Sequence, residues 1–194
     1  MKTPSCIKQI RDRILSSPKD SVFVLSDFSG IADSDNVRQT VSRLKKEGLL
    51  QPVLRGVYVK ATENAAPDAV AHAIARNFGW TIVPHGDIAL NILGISKTKP
   101  KIWAYVSNGM YKEYSFGDVT DKFKRTTNRF ISNISYKTAL IIQALKTLGK
   151  GRVKSGEIEA IKGSLTDDER EALLSEAQCA SSWIYDLVKK ICGK

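Results

Sequence analysis

The chain has 194 residues, of which 42% are hydrophobic, enough for one large domain or two small ones with a buried core. No run approaches the roughly 18 consecutive apolar residues of a membrane helix. The start, Met1-Lys2-Thr3-Pro4, leads into a charged amphipathic segment rather than the apolar stretch of a secretory signal, so the expected compartment is the cytoplasm and no membrane partner is expected. Net charge is +10, carried as +5 by residues 1–60, +6 by 61–150 and −1 by 151–194, and a basic excess of this kind suits a polyanionic partner. Cys6, Cys179 and Cys192 are far apart and form no Cys-x-x-Cys pair, which argues against a disulfide framework or a zinc site.

In chain order, Ile7, Ile10, Ile14 and Leu15 recur at helical spacing, with Ser5 placed to cap the helix and Pro18 to stop it. Val22-Phe23-Val24-Leu25 reads as a strand stub, and Asp27 to Ile31 as a short second helix. Asp33-Ser34-Asp35 offers caps for a third helix, in which Val37, Val41 and Leu44 line one face and Gly48 supplies the stop. Two β-prone runs, 49–54 and 56–60, flank a tight turn at Arg55-Gly56, the signature of a hairpin. Helix, short helix, helix and hairpin within about 60 residues is the winged helix-turn-helix plan.

That plan suits DNA because a major groove about 12 Å wide accepts one helix. Opposite the valines, the third helix offers Asn36, Arg38, Gln39, Ser42, Arg43, Lys45 and Lys46, and the hairpin turn adds Arg55. Arg38, Gln39, Ser42 and Arg43 are the candidates for bases or nearby phosphates. Lys45, Lys46 and Arg55 are expected to neutralise phosphates.

The small polar stretch 62–68 reads as a linker and 149–156 as a second break, giving a domain over 1–62 and another over 67–194 whose helical tail starts near 150. The middle region mixes a helix from Asp68 to Phe78, a strand at 81–83, a helix from Gly86 to Leu93, strands at 101–106, 114–116, 118–120, 123–125 and 130–131, and a helix from Tyr136 to Leu148. The tail holds a helix closed by Gly163, a capping-box helix from Thr166, and a last helix whose Trp183, Leu187, Val188 and Ile191 are expected to dock on the middle region. The expected class is α+β: a winged helix-turn-helix, then a mixed α/β domain with a small antiparallel sheet and a helical tail.

No catalytic constellation, phosphate loop, metal-ligand cluster or cofactor motif is evident, so no catalytic or metal residues and no cofactor are assigned and an enzyme is not expected. His72 reads as a surface or core histidine, and a turn and a cap explain Pro84-His85-Gly86-Asp87.

Residues 22–28, the run Val37 to Leu44 and the wing Leu54-Arg55-Gly56-Val57-Tyr58 together resemble the N-terminal domain of AbiEi-like antitoxins. Residues 84–95, with their Leu93-Gly94, and the tail 165–191, with Trp183, are similar to later parts of the same family, so the resemblance covers most of the chain. It implies an autorepressor that binds repeats in its own promoter. It also implies the antitoxin of a type IV toxin–antitoxin (abortive infection) system, opposing a nucleotidyltransferase toxin without binding it tightly. One departure is the pair Asp33 and Asp35 at the start of the recognition helix, where negative charge repels phosphate unless it caps the helix. The alternative is an RNA-binding or ribosome-associated basic module, using Lys97-Thr98-Lys99-Pro100-Lys101 and Lys122 to Arg125 for charge and Trp103, Tyr105 and Tyr111 for stacking.

Overall fold

The structure, a computed structural model, describes residues 5–98 and 100–194. Expectations that touch Met1 to Pro4 or Lys99 lie outside the described residues. The chain divides into two compact units, the first ending at Trp80 and the second starting at Thr81, and the class is α+β.

In the first unit, helix α1 (Cys6–Ser16) buries Ile10 and Ile14. Ser5 stands at its N-cap position but makes no side-chain cap bond, so that expectation is corrected. Strand β1 (Val22–Val24) runs into a 3-10 turn (Leu25–Phe28), which starts two residues earlier than the short helix read from the sequence. Helix α2 (Ser34–Lys46) seats Val37, Val41 and Leu44 against Ile10, Ile14, Phe23 and Phe28 in one hydrophobic cluster. Strands β2 (Leu50–Leu54) and β3 (Val57–Lys60) form the expected hairpin, turning at Gly56, whose φ of +85° suits glycine. β1 pairs with β3 from the other side, Val22 opposite Val59 and Val24 opposite Val57, giving an antiparallel sheet of order β1-β3-β2. Pro52 sits on the edge strand β2, where its missing N–H leaves the ladder least disturbed. Helix, strand, 3-10 turn, helix and hairpin in this order are compatible with the winged helix-turn-helix plan.

Helix α3 (Pro67–Phe78) closes this unit, with Pro67 in its first turn and a left-handed Gly79 at its end. The sequence reading gave α3 to the second domain, but it belongs to the first compact unit. Arg76 supplies the reason. Its guanidinium donates to both Asp27 carboxylate oxygens, at 3.1 and 3.2 Å, and to the Val22 carbonyl at 3.0 Å, tying α3 to β1 and the 3-10 turn.

The second unit holds strands β4 (Ile82–His85), β5 (Ile102–Ser107), β6 (Lys112–Phe116) and β7 (Val119–Arg125), with helix α4 (Asp87–Ile92) after β4. The sheet order is β4-β5-β7-β6. Its outer pairings are antiparallel, as expected, but β5 and β7 run parallel, Ile102 opposite Thr120, so the sheet is mixed. The two short runs expected around 118–125 are one continuous strand, β7. The strand expected at Phe130-Ile131 is a 3-10 turn instead (Asn128–Phe130): the Asn128 carbonyl accepts from the amides of Ile131, Ser132 and Asn133, which curls the chain and delivers Ile131 to the core.

Helix α5 (Tyr136–Leu148) is the centre of this unit, with every residue from Thr138 to Leu145 buried. A helix apolar on all sides must be wrapped on all sides. The sheet covers it through Val83 and Val106. Helix α4 and the Leu93 after it cover it through Ala89, Leu90 and Leu93, and α7 (Asp167–Glu176) and α8 (Ser182–Ile191) through Leu173, Ile184, Val188 and Ile191, while α6 (Ser155–Gly163) packs on α8. The tail therefore docks on the middle region as expected. The capping box on α7 is present: Thr166 accepts from the Glu169 amide and Glu169 from the Thr166 amide.

Leu44 is fully buried beneath α2. Leu44→Ala is expected to cost about 2–5 kcal/mol of unfolding free energy, read by urea denaturation of the full chain. A loss under about 1 kcal/mol would contradict this seating of the helix.

Candidate nucleic-acid interface

At about 100° of rotation per residue, Arg38, Gln39, Ser42, Arg43 and Lys46 cluster on an arc about 160° away from the buried Val37, Val41 and Leu44. The structure gathers those five side chains around one shallow surface groove of about 510 Å³. All five are exposed, and eight residue-to-residue steps of helix spread them over roughly 12 Å. Asn36 and Lys45 flank the arc on opposite sides. Arg55 stands exposed at the hairpin turn and does not line the groove. All eight residues singled out in the sequence thus point to solvent, but only five share the groove.

The charges on this face are partly engaged. Arg38 meets Asp35 at 3.2 Å, and the two side chains are 67% and 76% exposed. Arg43 Nε donates to Glu47 at 3.0 Å, and Arg11 of α1 donates to the same carboxylate. Exposed pairs of this kind contribute about 0–1 kcal/mol and exchange readily for a stronger anion. Lys45, Lys46 and Arg55 make no ion pair among the described residues.

The two aspartates at the helix start have separate roles. The Asp33 carboxylate accepts from the backbone amides of Asp35 (3.1 Å) and Asn36 (3.0 Å) and from the Asn36 side-chain amide (2.5 Å). Those bonds, the Asn36 backbone amide first, lower its pKa below the ordinary 3.8. Asp33 is therefore turned onto the helix N-terminus, where negative charge is favoured. Asn36 is correspondingly occupied in its own cap, a role the sequence pattern did not distinguish from a free base-reading amide.

Of the residues considered for single-stranded RNA, Tyr105 offers no free stacking face. Tyr105 is fully buried, stacked on Phe123 at 5.7 Å between centroids. Trp103 is half-buried and Tyr111 exposed, its hydroxyl bonded to Glu113. Lys122 is paired with Glu113 at 3.0 Å. His72 lies 3.7 Å from Asp68 on the surface of α3. In the second unit Gly86, with φ +67°, makes the turn into α4, as expected of the His-Gly-Asp run, but His85 itself is packed against α5.

A family model matches residues 9–173, and so spans both units. The chain belongs to DUF6088, a family of unknown function. No curated protein matches it. Within this DUF6088 chain no described helix is long and apolar enough to cross a membrane, and no group of three or more metal-ligating side chains stands together among the described residues. The matched span contains the whole of α2 and the hairpin, so the face described above lies inside the part that defines DUF6088 membership.

Removal of the α2 cap gives a pH-dependent test. Asp33 is held ionised by its amides, so its contribution to stability is fully present above pH 3.8 and is lost as pH falls through its lowered native value. Asp33→Ala is expected to lower the Tm at neutral pH, with the gap to wild type closing in acid below pH 3.8. Thermal melts followed by circular dichroism at a series of pH values read both effects.

Proposed function

We propose that this chain is a DNA-binding transcriptional autorepressor whose first unit acts as a winged helix-turn-helix. The observation that carries the reading is the division of α2 into a buried apolar face and an opposite face of five polar and cationic side chains around one groove. A helix so seated can enter a major groove while its valines keep it anchored. Arg38, Gln39, Ser42 and Arg43 are assigned to base edges and adjacent phosphates, and Lys45, Lys46 and Arg55 to phosphates. Asn36 is assigned chiefly to the cap.

The resemblance to AbiEi-like antitoxins extends the proposal. The repressed promoter is the chain's own, and the chain is the antitoxin of a type IV system, opposing a nucleotidyltransferase toxin in the cytoplasm without a tight complex. In this reading the chain performs no catalysis. Growth of cells expressing the toxin encoded beside it, with and without this chain, tests the antitoxin half. Failure to restore growth would remove that half and leave the repressor half standing.

The DNA half predicts distinct effects for neighbouring residues. Arg43→Ala is expected to cost about 1–3 kcal/mol of specific binding. Lys46→Ala is expected to weaken all duplexes alike and to reduce the slope of log affinity against log salt by about one. Glu47→Gln releases Arg43 and Arg11 from their shared carboxylate and is expected to tighten non-specific binding. Gel shifts on the upstream region and on a scrambled duplex, across a salt series, read all three. Unchanged affinity in the Arg43 and Lys46 variants would reject this face.

A further inference from the structure

We propose that His85, Lys124, Lys146 and Gln143 in the second unit form a binding site for a phosphate group. The site does not rest on the DNA-binding reading, and α2 contributes nothing to it.

The fold brings these residues together from three elements. Val83 lies opposite Val106, and Val106 opposite Lys124, so these residues share one face of the sheet. His85, two residues on from Val83, faces the same way. Val83 and Val106 pack in one core with α5, so this is the face α5 covers. Along α5, Gln143, Lys146 and Thr147 stand at i, i+3 and i+4 and form one stripe. Thr147 accepts a bond from the Gly86 amide at 3.1 Å, which holds the stripe against the end of β4.

The electrostatics of this corner are one-sided. The groups acting on the His85 ring are Lys124, Lys146 and the Gln143 amide, and none is acidic. Lys124 and Lys146 make no ion pair among the described residues. Lys122 shares the sheet face, but Glu113 neutralises it at 3.0 Å. Asp87, at the start of α4, is exposed and makes no ion pair among the described residues. Lys146 has its ammonium 4.5 Å from the centroid of the Phe130 ring. Its pKa is lowered, by burial first, with Lys124 adding to the effect and Cys179 opposing it.

Two buried polar atoms face this same corner without a partner. Gln143 is 2% exposed, its side chain acts on the His85 ring, and its Nε2 has no acceptor among the described residues. His85 Nδ1 likewise has no partner there. A buried amide donor without an acceptor costs about 1–3 kcal/mol, so the arrangement favours a ligand that brings oxygen. Two uncompensated ammonium groups call for that oxygen to be anionic. A phosphate meets both demands, accepting from Gln143 and both lysines, and from His85 once the ring is protonated.

The imidazole reports occupancy. Burial, then repulsion by Lys124 and Lys146, lowers its pKa below the ordinary 6.5. A bound anion must raise it again. The chain has two histidines, and His72, in the first unit beside Asp68, serves as the internal control. The test is an NMR titration of both rings in the full chain in an inert buffer, alone, with inorganic phosphate, and with a short oligonucleotide carrying or lacking a 5′-phosphate.

The site predicts a rise of about one pKa unit at His85 and little change at His72. Lys124→Gln and Lys146→Gln should each weaken phosphate binding about tenfold. Each should also raise the ligand-free pKa of His85, which a merely structural lysine would not do. A response to inorganic phosphate identifies a free anion as the ligand. A response only to the 5′-phosphorylated strand identifies a nucleic-acid terminus. No response to either, or equal shifts at the two histidines, overturns the proposal.

Discussion

The first unit is organised by the seating of α2. Val37, Val41 and Leu44 pack into one buried cluster with Ile10, Ile14, Phe23, Phe28 and Leu50. Once those three side chains are inside, the rotation of the helix is set, and the arc holding Arg38, Gln39, Ser42, Arg43 and Lys46 can only face water or a ligand. Burial of the apolar side thus determines the chemistry of the exposed side. The hydrophobic contribution of each buried branched side chain, about 1.5–3 kcal/mol, far exceeds that of any ion pair on the outer surface.

Charge on that outer surface is kept in place without being locked. Glu47 is shared by Arg43 and Arg11, and Asp35 holds Arg38. In high dielectric these pairs orient the guanidinium groups at little energetic cost and give them up easily. Asp33 is different: its carboxylate is committed to the helix's own amides. Two aspartates that look alike in sequence, two positions apart, therefore do unlike work, one closing the helix and one tethering a cation.

The second unit is built around a helix that has no free side. Because α5 is buried from Thr138 to Leu145, α4, α7, α8 and one sheet face are needed to wrap it, and the sheet's own register then places Lys124, near the end of β7, on the same face as Val83 and His85 of β4. A histidine and two lysines from separate parts of the chain meet there, together with a buried glutamine. Bringing basic groups together there costs stability through repulsion and desolvation.

Much of the first unit was legible in the sequence because the periodicity of α2 is unambiguous and because glycine and proline punctuate the hairpin and helix ends. The five groove residues follow from a 3.6-residue repeat alone, whereas the first two tail helices are marked by the Gly163 stop and the Thr166 capping box. The bond between Asn36 and Asp33 was not legible, since a capping amide and a free one have the same letter and the same spacing. Nor was the place of α3: a polar stretch before Pro67 reads as a linker, whereas the Arg76 bonds to Asp27 and Val22 that join it to the first unit span about fifty residues. The parallel pairing of β5 with β7 was likewise invisible, because alternation marks a strand but not its neighbour. Tyr105 looked like a stacking platform until its burial against Phe123 removed it. The His85 corner had no local signal, since its members lie up to 61 positions apart. Local periodicity and turn chemistry decide which segments become helices and which face each must bury. Long-range packing alone decides which of the remaining charged and polar groups end up side by side.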